Sequence, residues 1–309
     1  MSSTASAGEV LVIGDLLLDV MVRPSAPIRT DADVPAAVTL LPGGQGGNVA
    51  VWLARRGRAV RLLAPLANDA AGTILRAACT AERIALTAIP AMRTGTVVIL
   101  LDGTGRRTML SDRATLEGRP EPDMREVAAI VCSGYALLDP SGDVLARSLS
   151  ARHSECQLAV ACCALGTAEA AATIAERLST ARPDLFACNV DEASALLGRP
   201  APLDVAAREL GSQLGTLAVV TDPQRGSAAS RPGMSIVQRA AAMRPPVDTT
   251  GAGDAYVAAL LDAMLDAAWP PTNAQLHAAM SAGAALAASV VVTLGAQAIG
   301  GTPTAGGRR

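Results

Sequence analysis

Residues 247–261 read VDTTGAGDAYVAALL: an acid, two threonines, a Gly-Ala-Gly turn, a second acid and an apolar run. The run predicts a helix from about residue 252, with Asp254 in its first turn. A helix start offers unpaired backbone N–H groups and the positive end of the dipole. Glycines let that backbone approach a ligand closely. Gly251, Ala252 and Gly253 therefore form a candidate anion cradle of the kind that holds phosphate. An acid there would repel the ligand if holding phosphate were the whole task. It makes sense as a general base that takes the proton of a hydroxyl attacking the phosphate. The plain alternative is that Asp254 only caps the helix.

Upstream, the pattern is of strands alternating with helices. EVLVIG (9–14) is a buried strand that delivers Asp15 at its carboxyl end. Residues 16–41, with Pro24, Pro27 and Pro35, read as short strands and turns, and GGQGGNVAVWLARRG (43–57) as a glycine turn opening a helix that Gly57 closes. Two strand-like segments flank DGTG (102–105), a hairpin signal that suggests a strand layer outside the main sheet. VAAIVCSG, QLAVACCA, DLFACN and TLAVVTD are further strands separated by Ala-rich helices, and long helices are expected over 252–268 and 273–289. The fold class is α/β: a doubly wound, mostly parallel sheet flanked by helices, with a small β layer. In such sheets ligands sit at the carboxyl ends of the strands. The polar residues there are Asp15, Asn189, Glu192, Thr221, Asp222 and Asp254.

Composition narrows the chemistry. The 309 residues are half hydrophobic and 17% charged, enough for a large core, and the net charge of −2 with scattered Arg gives no reason to expect nucleic acid as a partner. The chain contains no lysine, which excludes a P-loop, a Schiff base and a Ser-x-x-Lys nucleophile. His153 and His277 stand far from any nucleophile motif. The six cysteines lack paired spacing and read as small buried hydrophobes of a reduced, cytoplasmic protein, with a His153–Cys156–Cys162 metal cluster the weak alternative. The N-terminus lacks a basic region and the uncharged stretch 277–300 reads as a buried helix, so neither a signal peptide nor a membrane span is expected. Neither GAGDAY nor GQGGNV completes a dinucleotide-binding fingerprint, which argues against a nicotinamide enzyme.

PGGQGGNVAVWLARRG (42–57) and DTTGAGDAYVAALL (248–261), in that order, resemble the two signature regions of the ribokinase-like (PfkB) carbohydrate kinases. VLVIGDLLLDV, the strand-rich segments, Asn189-x-x-Glu192 and VTLGAQ (292–297) extend the resemblance along nearly the whole chain. It implies one kinase domain over 1–309, with lid segments near 16–41 and 92–112 and a disordered tail at 301–309. It implies an ATP-dependent kinase in which Asp254 is the general base and Gly251, Ala252 and Gly253 are the anion hole. Asp15, Gly43, Gly44 and Asn48 match sugar contacts. Asn189 and Glu192 match the motif that organises Mg²⁺, through water. Thr221 and Gly226 match the nucleotide loop, and Gly295 and Ala296 the neighbourhood of the adenine. Asp248 and Thr250 match positions near a monovalent cation, K⁺ being the candidate. The family also implies a homodimer formed through the lid. Two departures stand out: Pro223 where the nucleotide loop usually carries Gly, and a VTLGAQ one residue short, which bears on the cation site.

One Phe, two Tyr and two Trp leave few aromatics to stack a nucleobase, with Trp52 and Tyr256 expected inside helices. A simple, non-phosphorylated pentose or hexose is the expected acceptor, ribose first. Arg106, Arg107 and Arg113 are either a second anion site for a phosphosugar or an exposed basic turn. A nucleoside kinase of the same family, and a non-catalytic sugar-binding or sensor protein, are the competing readings.

Overall fold

The computed structural model describes residues 8–102, 107–115, 122–240, 246–267 and 269–298; Arg106 and the tail 301–309 lie outside them. The chain begins with β1 (Glu9–Ile13), an apolar run buried nearly throughout, as a strand covered on both faces must be. A second sheet starts at once with β2 (Leu17–Pro24) and β3 (Ala36–Gly43), before α1 (Gln45–Arg55) returns the chain to the first layer. β4 (Val60–Leu66), α2 (Ala70–Ala81) and β5 (Ala85–Pro90) follow, and Asp69 caps α2 by accepting from the Gly72 amide at 2.7 Å. β6 (Thr96–Leu101) and β7 (Arg107–Asp112) pair antiparallel on either side of DGTG, as expected, while residues 103–106 of the turn lie outside the described residues.

From β8 (Val127–Ser133) the alternation is regular: α3 (Gly134–Leu138), α4 (Gly142–Ser150), β9 (Gln157–Ala161), α5 (Ala168–Ala181), β10 (Leu185–Asn189), α6 (Val190–Leu197), α7 (Leu203–Leu214) and β11 (Leu217–Asp222). β12 (Gly226–Arg231) and β13 (Met234–Arg239) turn back antiparallel, and α8 (Ala252–Leu265) and α9 (Asn273–Val290) close the chain. α8 is apolar on almost every side and accordingly buried.

The nine-stranded sheet has the order β13-β12-β11-β10-β9-β8-β1-β4-β5, parallel from β11 to β5. One core cluster, with Trp52, Leu260 and Met280, lies under α1, α8 and α9; the other, with Leu145, Ile174 and Leu210, lies under α4, α5 and α7. Helices thus cover both faces, as the alternation predicted. The small sheet, β3-β2-β6-β7, packs Leu17, Met21, Val97, Ile99 and Leu101 towards the main body against Leu41 and Leu294. Its arrangement brings its inner face over the carboxyl edge of the main sheet. Among the described residues no helix is long and apolar enough to cross a membrane, and no three His, Cys, Asp or Glu side chains cluster as metal ligands.

Candidate active site

Strand ends and helix starts meet at the carboxyl edge, and Asp254 stands at their centre. Gly251, the N-cap of α8, has φ 74°, in the left-handed region, and a Cβ there would lie 2.4 Å from the Cβ of Ala296. Both backbone and packing require glycine. Gly253 differs: a Cβ there would meet nothing within 4 Å. The protein leaves that space open, as the approach of a ligand to the amides demands. Asp254 lies inside the first turn rather than at the cap, and the cap has no side-chain hydrogen bond, so the capping alternative falls.

Oδ2 of Asp254 accepts from Asn48 Nδ2 at 2.7 Å, and Asn48 Oδ1 accepts from Gln297 Nε2 at 3.1 Å. The two bonds orient the Asn48 amide. Burial pushes the Asp254 carboxyl up to about 7, with Asp15, Glu192 and Asp19 adding to the rise and the Asn48 bond opposing it. A carboxyl that titrates near neutrality is suited to accept a proton and release it again.

Asp15 follows β1. Its Oδ1 lies 3.4 Å from the Gly46 amide and from Ser133 Oγ, and its Oδ2 is ion-paired with Arg113. The Arg113 guanidinium carbon sits 3.5 Å from the centre of the Tyr135 ring. Asp19, on β2, is 6% exposed and lies against Gly43, where any Cβ would overlap its carboxylate. Burial, then Asp15, pushes Asp19 up to about 7 against the pull of Arg113. Gly44 precedes α1 with φ 88°, and Gln45 bonds to Cys162 O at 2.7 Å and to Ser133 Oγ at 2.5 Å. This turn is therefore tied to the ends of β8 and β9.

On the other flank, Asn189 and Thr221 are register partners on β10 and β11. Asn189 Oδ1 accepts from the Asp191 and Glu192 amides, each at 2.9 Å, and Glu192 Oε2 accepts from the Asn189 amide at 2.9 Å. This capping box occupies the carbonyl oxygen of Asn189 and turns the burial-raised carboxyl of Glu192 into the edge. Pro223 opens a three-residue hairpin between Asp222 and Gly226, held by Asp222 Oδ1 accepting from the Gln224 and Arg225 amides at 2.7 and 3.1 Å. Gly226, at φ 104°, takes the backbone that closes it.

Asp248 is 3% exposed. Its Oδ1 accepts from the Thr250 amide at 2.9 Å and hydroxyl at 2.6 Å, and its Oδ2 from the Gly295 amide at 2.9 Å. From β7, Arg107 Nη1 donates to Thr250 Oγ1 at 2.8 Å and lies 3.7 Å from Asp248. Arg107 and Arg113 are thus not an exposed basic turn: each guanidinium is directed onto an acid of the edge. Gly295 and Ala296, expected beside the adenine, pack under the cradle on Asp248 and Gly251, and Ala296 O accepts from Trp52 Nε1 at 3.2 Å. Trp52 and Tyr256 are buried in helices as expected, Tyr256 donating to Ser227 Oγ at 3.0 Å. Asp19, Tyr135 and Gln297 belong to the site although no motif announced them. Their only sequence signals are the acid spacing of GDLLLD, the aromatic one residue past SG at a strand end, and the Gln that closes VTLGAQ.

Residues 7–305 match the model of the pfkB family carbohydrate kinases. The chain belongs to this family, whose members are phosphotransferases that use ATP to phosphorylate an alcohol group of a sugar. A fructokinase from Klebsiella pneumoniae is 29% identical over 280 residues, covering 82% of this chain and 83% of that protein. Two solved structures share the fold. One is a fructokinase from Vibrio cholerae O395 with fructose, ADP and calcium bound (TM-score 0.78, 21% identity, 95% of this chain and 96% of that one). The other is an adenosine kinase from Sinorhizobium meliloti (TM-score 0.79, 21% identity, 95% and 96%).

Proposed function

We propose that this kinase phosphorylates a small, non-phosphorylated sugar, a pentose or hexose such as ribose or fructose, with Asp254 as general base. The observation that carries this reading is the half-buried Asp254 carboxyl, bonded to Asn48 at 2.7 Å and pushed up to about 7 by desolvation, one residue after Gly253, which leaves open space at a helix start. The acceptor hydroxyl attacks the γ-phosphorus of ATP, the bond to the ADP oxygen breaks, and the hydroxyl proton passes to Asp254. The Gly251–Gly253 amides face the charge on the transferred group. Asp15, Asp19 and Asn48, beside Gly43 and Gly44, suit the paired hydroxyls of a sugar. For a second phosphate on the sugar, Arg113 and Arg107, the candidate cations among the described residues, are already engaged, by Asp15 and by Thr250 and Asp248.

The absence of a three-carboxylate cluster among the described residues fits Mg²⁺ carried on the phosphates and reached by Glu192 through water. Bound there, the ion would neutralise phosphate charge. Thr221 and Gly226 would flank the nucleotide, and the engaged position of Ala296 and Gly295 leaves them a supporting part beneath the cradle. A K⁺ ion at Asp248 and Thr250 would share ground with the Arg107 guanidinium, which we take to supply that charge. The small sheet serves as the lid that excludes water.

We further propose a homodimer through the outer face of the lid. Register sets Leu40, Val20, Val98 and Leu110 side by side across its four strands, and Leu40 and Leu110 are exposed. A continuous apolar row in solvent calls for a cover. Six buried, free cysteines suit a reducing cytoplasm.

Release of ADP with Mg·ATP across ribose, fructose, 2-keto-3-deoxygluconate, fructose phosphates, adenosine and pseudouridine tests the assignment. Turnover with a neutral sugar is expected. Turnover with adenosine or pseudouridine alone would move the protein to the nucleoside kinases, a reading that Tyr135 beside Asp15 keeps specific. Sugar binding without ADP release would make it a non-catalytic binding protein.

A further inference from the structure

A cavity of about 710 Å³ lies at the opposite, amino-terminal edge of the main sheet. Its wall includes Arg152, Arg182, Asp184, Thr216, Arg231 and Trp269. Three guanidiniums therefore line it against one carboxylate. Arg152 is spent: its nitrogens donate to the carbonyls of Cys156, Leu149, Ala181 and Arg182 and, at 2.8 Å, to Asp184. Asp184 also accepts from the Leu158 amide, so this pair is closed on itself. Arg182 and Arg231 have no carboxylate partner among the described residues. The Nε of Arg231 is buried without an acceptor, and so is the hydroxyl of Thr216, a residue only 3% exposed.

A buried donor left unpaired costs about 1–3 kcal/mol. Two such groups in one cavity, under unbalanced positive charge, fit a ligand with several charged acceptor oxygens, since bonds to ionised acceptors are the strong ones. The volume falls within the range of small-molecule sites, roughly 300–1,000 Å³, and exceeds the need of a lone ion.

We propose that this cavity is a second anion site, which takes a phosphate group through Arg231, Arg182 and Thr216. It is separate from the catalytic edge. Asp184 and Thr216 stand just before β10 and β11, whose far ends carry Asn189 and Thr221, about 17 Å away at 3.3 Å per residue. The proposal does not depend on which sugar is phosphorylated.

The test follows thermal unfolding of the full chain as inorganic phosphate is raised in chloride buffers of constant ionic strength. The wild type should gain melting temperature, and Arg231→Met and Thr216→Val should each lose at least half of that gain. Without phosphate, Arg231→Met should unfold at or above the wild-type temperature, because an unpaired donor is gone. An equal gain in all three proteins, as phosphate at the catalytic turn alone would give, overturns the proposal, and so does no gain. Crystals soaked in tungstate should show the anion with its oxygens within hydrogen-bond reach of Arg231 Nε and Thr216 Oγ1; water there instead overturns it too. Repeating the titration with a pentose phosphate identifies the source: half-saturation below that of inorganic phosphate assigns a phosphorylated metabolite, and the reverse assigns free phosphate.

Discussion

Asn48 donates to Asp254, 206 residues away in sequence, across 2.7 Å, joining two helices that each start at a glycine turn. Because that bond favours the ionised carboxylate, Asn48 opposes the rise that burial causes and lowers the pH at which the proposed base works. The base must be ionised to act, so kcat/KM should rise with pH through about 7 and level off above it. Asn48→Ala removes the opposing bond and should move the inflection to higher pH, an effect that a purely structural role would not produce. Asp254→Asn should lower kcat by about 10²–10⁴-fold while calorimetry still detects sugar binding. Loss of binding with turnover intact would remove Asp254 from the role of base.

The two glycines of the turn should respond in opposite ways. Gly251→Ala forces a side chain into left-handed backbone and onto Ala296, and should destabilise by about 1–3 kcal/mol. Gly253→Ala fills open space in a helix and should leave stability unchanged or raise it by up to about 1 kcal/mol. Its cost should fall on ATP use, with kcat/KM for ATP reduced at least about tenfold if the space serves the phosphate. Equal loss of melting temperature in both variants would contradict this division.

The layered fold and the Gly251–Gly253 turn were legible because each rests on local signals: apolar runs ending in polar residues, and glycines ahead of a helix. Asp254 and Asp15 follow from those signals and Asn48 from the family resemblance, and the structure brings Asn48 and Asp254 within 2.7 Å. Asp19 was not legible, since in VLVIGDLLLDV it reads as the end of one apolar run. Only the chain's turn from β1 into the small sheet brings it back over Asp15. The sequence left Arg107 and Arg113 as either a second anion site or an exposed basic turn, and the β6–β7 pairing brings them to Thr250 and Asp15. Asn189 matched a metal motif, yet its carbonyl oxygen serves the helix start, a choice between two partners that composition does not encode.

Asp19 should make the protein sensitive to alkali. Its folded carboxyl is raised to about 7 from an ordinary 3.8, so the folded state holds a proton there that the unfolded chain gives up. The associated stability is present in full below pH 4 and is lost as pH rises through 7. Asp19→Asn should therefore stabilise by on the order of 2 kcal/mol at pH 8 and by little at pH 4. Denaturant unfolding at both values checks the difference; an equal effect at both would assign Asp19 an ordinary carboxyl.

The apolar row on the small sheet should hold two copies together. Leu40 and Leu110 are 50% and 57% exposed, and each lies on an edge strand. Leu40→Asp with Leu110→Asp places charge in the row without touching the inner face that carries Asp19. Sedimentation should show a dimer for the wild type and a monomer for the double variant. A monomeric wild type would leave the row to another partner and remove the homodimer.

Arg107 should decide the response to monovalent cations. Both oxygens of Asp248 already accept hydrogen bonds, and the guanidinium stands 3.7 Å from Oδ1 while bonding Thr250. A nearly buried carboxylate needs compensating charge, and Arg107 provides it from the small sheet. With the guanidinium in place, exchanging K⁺ for tetramethylammonium at constant ionic strength should change wild-type kcat by less than about twofold, since a factor of two is only about 0.4 kcal/mol. Arg107→Met strips the charge from Asp248, so kcat should fall, and K⁺ should then restore part of it by entering the vacated ground. Strong K⁺ dependence in the wild type, unchanged in Arg107→Met, would show that the ion binds Asp248 and Thr250 alongside the arginine.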